Sequence, residues 1–197
     1  STDLFWKGGM RMKATEQLKA EHDGIRIILN VLDRISADIK GGKGANREHL
    51  GQIVEFLKVF VDKCHHAKEE DVLFPALEAA GIPREGGPIG VMLSEHETGR
   101  GHVRSMAEAL SADREGGRDA LAGFAVAAMA YRNLLDQHID KENNILYVMA
   151  DDRITEEEQE KLFLEFEKIE SDKIGAGTHE RFHALIDDLE KIYLGRG

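Results

Sequence analysis

The chain carries one polar pattern twice, and this repetition constrains its fold more than any other feature. The stretch EHDGIR at 21–26 matches EHETGR at 95–100, and HHAKEEDVLF at 65–74 matches HIDKENNILY at 138–147. The histidines of the first copy are 43 positions apart (22 to 65), and those of the second copy are 42 positions apart (96 to 138). This near-equal spacing predicts two similar helical hairpins that pack together around a pseudo-twofold axis.

Hydrophobic residues with helical spacing surround both copies of the pattern. Between residues 18 and 32, core-type positions repeat at intervals of three and four, as they do on one face of an α-helix. Glycine-rich stretches predict the turns, because glycine ends helices and favours tight turns; they lie at 41–46, 81–88, 114–119 and 175–178. We therefore predict four long helices, at about 14–40, 47–80, 88–111 and 118–149.

The connections between these helices are short, so neighbouring helices should be antiparallel. The predicted fold class is all-α: an up-down-up-down four-helix bundle with a C-terminal two-helix appendage. We expect the appendage helices near 155–170 and 179–193. The predicted organisation is a flexible N-terminal extension (1–13), the bundle (14–150) and the appendage packed on the bundle (151–197).

Composition narrows the class of partner. The chain has 26 Lys and Arg against 37 Asp and Glu, for a formal net charge of -11, which disfavours nucleic acid and anionic membranes. Cys64 is the one cysteine, so no intrachain disulfide forms. The sequence shows no signal peptide and no apolar run of the roughly 18 residues that span a bilayer. We expect a cytoplasmic protein and predict no oligomeric state.

The repeated pattern places polar residues on the apolar faces of the predicted helices. Its matched members are His22, His65, Glu69, His96, His138 and Glu142. Each glutamate follows its histidine by four positions and so lies on the same helix face. A carboxylate buried without a cation is costly, so four imidazoles and two carboxylates around one axis predict two metal ions with bridging glutamates. Nitrogen and oxygen ligands without a thiolate suit iron, manganese or zinc.

These motifs resemble those of the hemerythrin-like, or HHE cation-binding, family over about residues 14–150. The resemblance implies a non-haem centre of two iron ions with an oxo or hydroxo bridge, whose small ligand is dioxygen or nitric oxide. Zinc, manganese or nickel could replace iron in a recombinant sample. No separate general acid, nucleophile or cofactor loop stands out in the sequence, so we expect a binding or sensing protein rather than an enzyme and assign no catalytic residue. The KEE..LFP and GPI.VM..EH runs are also similar to those of bacterial proteins that repair iron–sulfur centres. Repair, reduction of peroxide or nitric oxide, and metal storage are therefore alternatives.

The resemblance also has a gap at one ligand position. Oxygen-carrying hemerythrins have a further histidine four positions after the third-helix histidine, whereas this chain has Arg100 there. In an animal iron-sensing F-box protein of the family, a glutamate acts next to the second-helix histidine. The corresponding residue here is His66, which we predict as the seventh metal ligand. The alternatives are a partly exposed His66 paired with Glu70, and His183 as the source of the missing nitrogen.

The segment HERFH at 179–183 matches the HExxH motif of zinc proteases. No histidine follows His183 to complete a protease site, so we instead expect a helix docked on the bundle. The predicted docking residues are Phe182, Leu185, Ile186 and Leu189.

Two lysines, Lys68 and Lys141, accompany the glutamates in both copies of the pattern. They either offset negative charge at the site or are solvated helix positions. We favour the solvated interpretation.

Overall fold

The computed structural model describes residues 6–7, 10–11, 13–114, 120–175 and 177–195. The described chain is helical apart from one short antiparallel hairpin, β1 (Trp6–Lys7) and β2 (Met10–Arg11). The predicted all-α class is therefore confirmed, and the hairpin was not predicted. Most of the predicted flexible extension over residues 1–13 lies outside the described residues.

Four long helical segments follow the hairpin, and three of the connections predicted between elements fall at glycine-rich stretches as expected. The first segment is α1 (Ala14–Lys40) and the third is α4 (Pro88–Arg114). The second segment runs through α2 (Arg47–Phe56), π-helical stretches Leu57–His66 and Glu69–Leu73, and α3 (Phe74–Ala79). The fourth segment runs through α5 (Ala120–Lys141), a π-helical stretch Glu142–Leu146, and α6 (Tyr147–Arg153).

The buried apolar residues form two clusters, one on each side of a polar layer. The larger cluster joins the second half of α1, the first part of the second segment, the second half of α4, and α5. The smaller cluster joins the opposite ends of the same four segments, as shown by Leu18, Leu73, Ile89 and Leu146. Each cluster thus combines the start of some segments with the end of others.

The C-terminal segment consists of α7 (Glu156–Ile169), a π-helical stretch Glu170–Ile174, and α8 (Thr178–Leu194). Thr155 caps α7 through a reciprocal hydrogen bond with Glu158, as its sequence favours. Helix α8 packs on α1 and buries Phe182, Ile186 and Leu189 against the larger cluster. A Cβ atom at Gly24 would lie 3.1 Å from Ile186 Cδ1, so glycine permits this close approach of α8 to α1.

None of the helices in the described ranges combines the length and the apolar character that crossing a bilayer requires.

Two glycines, one just before α4 and one inside it, should respond in opposite ways to substitution by alanine. A Cβ atom at Gly87, in the turn before α4, would lie 2.1 Å from the backbone oxygen of Pro83. A Cβ atom at Gly101, inside α4, would meet only the flexible end of Arg104, at 3.8 Å. We expect Gly87→Ala to lower the free energy of unfolding by about 1–3 kcal/mol through this clash. We expect Gly101→Ala to raise it by about 0.5–1 kcal/mol, because alanine favours the helix. Urea denaturation of both variants checks the signs, and a shift in the same direction for both would contradict this packing.

Candidate metal centre

The polar layer between the two apolar clusters contains all seven residues that the sequence predicts as metal ligands, and each of them is buried. They form two groups, and within each group one donor atom of every residue lies within 4.8 Å of those of the others. The first group is His22, His65, Glu69 and Glu142. The second group is His66, Glu69, His96 and His138. Because Glu69 belongs to both groups, the two groups are adjacent.

Two pairs of histidines face each other across this layer. The Nε2 atoms of His22 and His65 are 3.0 Å apart, and the Nε2 atoms of His96 and His138 are 3.1 Å apart. Each pair joins the first histidine of one copy of the repeated pattern to the second histidine of the same copy. The duplication in the sequence therefore becomes two matched imidazole pairs in the structure.

The outer nitrogen, Nδ1, of each of these four rings donates a hydrogen bond to an oxygen acceptor. The acceptors are Asn143 for His22 (2.8 Å), Glu21 for His65 (2.7 Å), Glu70 for His96 (2.7 Å) and Glu95 for His138 (2.9 Å). A neutral imidazole that carries its proton on Nδ1 has a lone pair on Nε2. In the neutral rings, both members of each pair thus present lone pairs to each other, which a bound cation between them would satisfy.

The two glutamates of the layer are fully buried and incompletely hydrogen-bonded. Oε2 of Glu69 and both carboxylate oxygens of Glu142 lack a hydrogen-bond partner among the described residues. Glu142 lies between the histidine pairs, with Oε2 3.2 Å from His22 Nε2 and Oε1 3.0 Å from His138 Nε2. Tyr147 donates a hydrogen bond to the other oxygen of Glu69, at 2.5 Å. Buried carboxylates in this state require positive charge nearby.

The pKa values of two histidines in the layer show the same demand for positive charge. Burial lowers the pKa of His138, but the Glu142 carboxylate outweighs burial and raises it to about 9. Burial likewise lowers the pKa of His96, but the nearby carboxylates of Glu142, Glu69 and Glu70 raise it to about 11. Protons therefore neutralise the carboxylates when no metal does, and metal ions and protons should compete for these rings.

His66 differs from the other four histidines. Its ring is 4% exposed and stacks on the ring of His96, with centroids 3.8 Å apart and planes 16° apart. Its Nδ1 has no hydrogen-bond partner in the part of the chain that the structure describes, and Asp62 Oδ1 is 3.6 Å away. Burial and the neighbouring histidines lower the pKa of His66 well below its usual value, which favours the neutral form that binds metals.

The alternatives for His66 do not match this geometry. Glu70 is not its partner, because Glu70 accepts hydrogen bonds from His96 and Arg100 instead. His183 belongs to neither group of candidate ligands; its ring contacts those of Phe60 and His179. Of the two residues considered for the missing nitrogen, only His66 lies within the polar layer.

Sequence reasoning missed the residues that surround the predicted ligands. Glu21 accepts a hydrogen bond from His65 Nδ1, and Glu95 accepts one from His138 Nδ1. Each glutamate also forms an ion pair with a lysine of the repeated pattern. The solvated interpretation of Lys68 is wrong, because its side chain is 0% exposed and pairs with Glu21 at 2.5 Å. The signal was present, since both the glutamate before the first histidine and the lysine three positions after the second recur in each copy.

The duplication extends to the backbone at the two glutamates. Glu69 begins the π-helical stretch Glu69–Leu73, and Glu142 begins the π-helical stretch Glu142–Leu146. Single π-helical turns inside α-helices occur frequently at functional sites. Hydrophobic periodicity did not reveal them, because a local change of hydrogen bonding leaves the spacing of apolar residues almost unaltered.

Comparison with known proteins agrees with this site. The family model of the Hemerythrin HHE cation binding domain matches residues 13–150. Similar proteins include uncharacterized protein Mb2018 of Mycobacterium bovis and uncharacterized protein Rv1995 of Mycobacterium tuberculosis (strain H37Rv). Each is 25% identical over 185 residues, which cover 90% of this chain and 69% of the relative. No solved structure matches the chain. The family match covers every residue of both candidate groups and implies metal-ion binding, and the chain belongs to the hemerythrin HHE cation-binding domain family.

Proposed function

We propose that the protein binds two iron ions in the polar layer and uses them to bind or sense a small ligand, dioxygen or nitric oxide. The observation that carries the proposal is the set of facing Nε2 atoms, each on a ring whose Nδ1 is already hydrogen-bonded to an oxygen. When both rings are neutral, no proton lies between the two facing nitrogens. A cation bound there would accept both lone pairs.

The candidate ligands fall into two groups, and this division supports two bound ions rather than one. The two groups share Glu69, and Glu142 faces a histidine of each group through different oxygens. Carboxylates placed in this way suit bridging between adjacent ions. The donor set is imidazole and carboxylate, and the buried Cys64 is not among it. Such a set suits iron, and it also accepts manganese, zinc or nickel.

We further infer that the four long segments form an up-down-up-down four-helix bundle spanning about residues 14–150. The alternating composition of the two apolar clusters supports this arrangement. Facing helices of such bundles supply histidine and glutamate ligands to paired metal ions. Residues 151–197 would then be an appendage packed on α1, consistent with the contacts of α7 and α8.

A cavity provides a route by which a small ligand could reach the metal ions. It has a volume of about 140 Å³, and His66 is part of its wall. Gly99 and Tyr131 also line it, as do the charged residues Arg100 and Lys58. When bound, iron would supply reversible oxidation and coordination of dioxygen or nitric oxide. The protein contributes the ligands, a buried environment and this small opening.

Anaerobic purification followed by metal analysis and gas exposure tests the proposed function. We expect iron to be bound and an absorption band to appear with dioxygen or nitric oxide and to reverse when the gas is removed. Irreversible oxidation coupled to consumption of a substrate would instead indicate an enzyme. Bound metal that responds to neither gas would indicate storage or a structural cation.

The first prediction concerns the ligands common to both copies of the pattern. We expect His65→Ala to lower bound iron from about two ions per chain and to reduce the increase in melting temperature that iron produces. Metal analysis and melting curves measured with and without iron check this. His102→Ala, which removes a histidine of α4 outside both groups, serves as the control and should retain wild-type behaviour.

The second prediction concerns His66, which is a donor of one group only. We expect His66→Ala to weaken binding of one ion while the ion of the group containing His22 and His65 stays bound. Anaerobic titration of metal-free protein with iron(II) checks this as the loss of one of two binding events. Unchanged binding of both ions would show that His66 is not a ligand.

The third prediction concerns access through the cavity. A Cβ atom at Gly99 would make ordinary contact with Tyr131 at 3.5 Å, so a larger side chain there extends into the cavity. We expect Gly99→Leu to slow nitric oxide binding several-fold in stopped-flow measurements, with iron content unchanged. Gly101→Leu on the same helix should bind nitric oxide at the wild-type rate. Equal rates in all three proteins would contradict the proposed route.

A further inference from the structure

Lys68 is a fully buried ammonium group held between two carboxylates. Its Nζ pairs with Glu21 Oε1 at 2.5 Å and also with Glu170 Oε1. Gln17 donates a hydrogen bond to the same oxygen of Glu170, at 3.0 Å, and so holds the Glu170 side chain in place. Glu170 begins the π-helical stretch after α7, outside the residues that match the family. A side chain from the C-terminal segment therefore completes the environment of a buried charge inside the bundle.

The contacts continue from Lys68 to a candidate metal ligand. Glu21 accepts a hydrogen bond from His65 Nδ1 at 2.7 Å through its second oxygen. One oxygen of Glu21 therefore faces the ammonium group of Lys68 and the other faces the ring of His65, so the carboxylate is shared between the two. A continuous series of charged and hydrogen-bonded groups thus runs from Glu170 through Lys68 and Glu21 to His65.

The second copy of the pattern has only part of this arrangement. Lys141 pairs with Glu95, which accepts a hydrogen bond from His138 Nδ1. Lys141 is 36% exposed and Glu95 is 18% exposed, whereas Lys68 is 0% exposed and Glu21 is 5% exposed. Among the ion pairs of the described residues, Glu95 is the carboxylate partner of Lys141, and the C-terminal segment supplies no second one. Solvent therefore screens the Lys141–Glu95 pair near His138 more strongly than the Lys68–Glu21 pair near His65.

We propose that Glu170 is a positioning residue for one of the two metal ions: through Lys68 and Glu21 it sets the orientation and basicity of His65. This inference rests on the proposed dinuclear site. Glu21 is shared between the ammonium group of Lys68 and the ring of His65. Glu170 takes part of the charge of Lys68, which leaves Glu21 a stronger acceptor for His65 and makes His65 a better metal ligand. The C-terminal segment thereby stabilises the ion of the group containing His22 and His65.

Anaerobic titration of the 197-residue protein, prepared without metal, with iron(II) tests this proposal. Glu21→Gln and Glu95→Gln identify the binding events, because each should weaken the event of its own histidine by about tenfold or more. We expect Glu170→Gln to weaken the same binding event as Glu21→Gln, but by a smaller factor. The affinity of the other binding event should stay within about twofold of wild type. Glu165→Gln, which removes an exposed charge from the same segment, should change neither event.

A second comparison separates positioning from support of the fold. In a Lys68→Met background, Glu170→Gln should have no further effect on either event, because the connection to Glu21 is already broken. Melting curves of the metal-free variants show whether each has folded. If Glu170→Gln binds iron as the wild type does, or if it weakens both binding events equally, the proposal is wrong. Either result would leave the proposed dinuclear site standing. A wild-type protein that binds no iron would instead overturn the proposed function, and this inference with it.

Discussion

The structure depends on two carboxylates buried between facing pairs of imidazoles. Glu69 and Glu142 lie in the middle of an apolar interior, with three of their four oxygens lacking a hydrogen-bond partner among the described residues. Without a cation, protons on His96 and His138 offset the charge of these carboxylates, which raise the pKa values of both rings. Burying these charges costs folding free energy. The apolar clusters on both sides of the layer offset this cost and hold the helices together around it.

Much of this centre could be predicted from the sequence, because its histidines and glutamates recur in both copies of the pattern. The matched histidines and glutamates recur at near-equal spacing, and the structure brings them into one layer. Lys68 was misjudged because a lysine on a helix is usually solvated, and its burial depends on Glu170, which is 102 positions away in the chain. Similarly, no local pattern could show that the ring of His66 stacks on that of His96. Contacts between distant segments, rather than helix periodicity, decided both cases.

The two copies of the pattern are not equivalent in the folded protein. His66 and Glu70 in the first copy correspond to Ile139 and Asn143 in the second. Asn143 holds His22, whereas Glu70 holds His96, so the outer partners of these two histidines differ in charge. The C-terminal segment adds to this asymmetry, because its Glu170 pairs with Lys68 of the first copy. A duplicated scaffold can therefore place two ions in different electrostatic environments.

Anomalous diffraction at the iron edge, from crystals prepared anaerobically with iron(II), tests the central claim most directly. The account predicts two adjacent peaks in the polar layer. One should be bonded to His22 and His65, the other to His66, His96 and His138, and Glu69 should contact both. A single peak, or iron bound only outside this layer, would contradict the account.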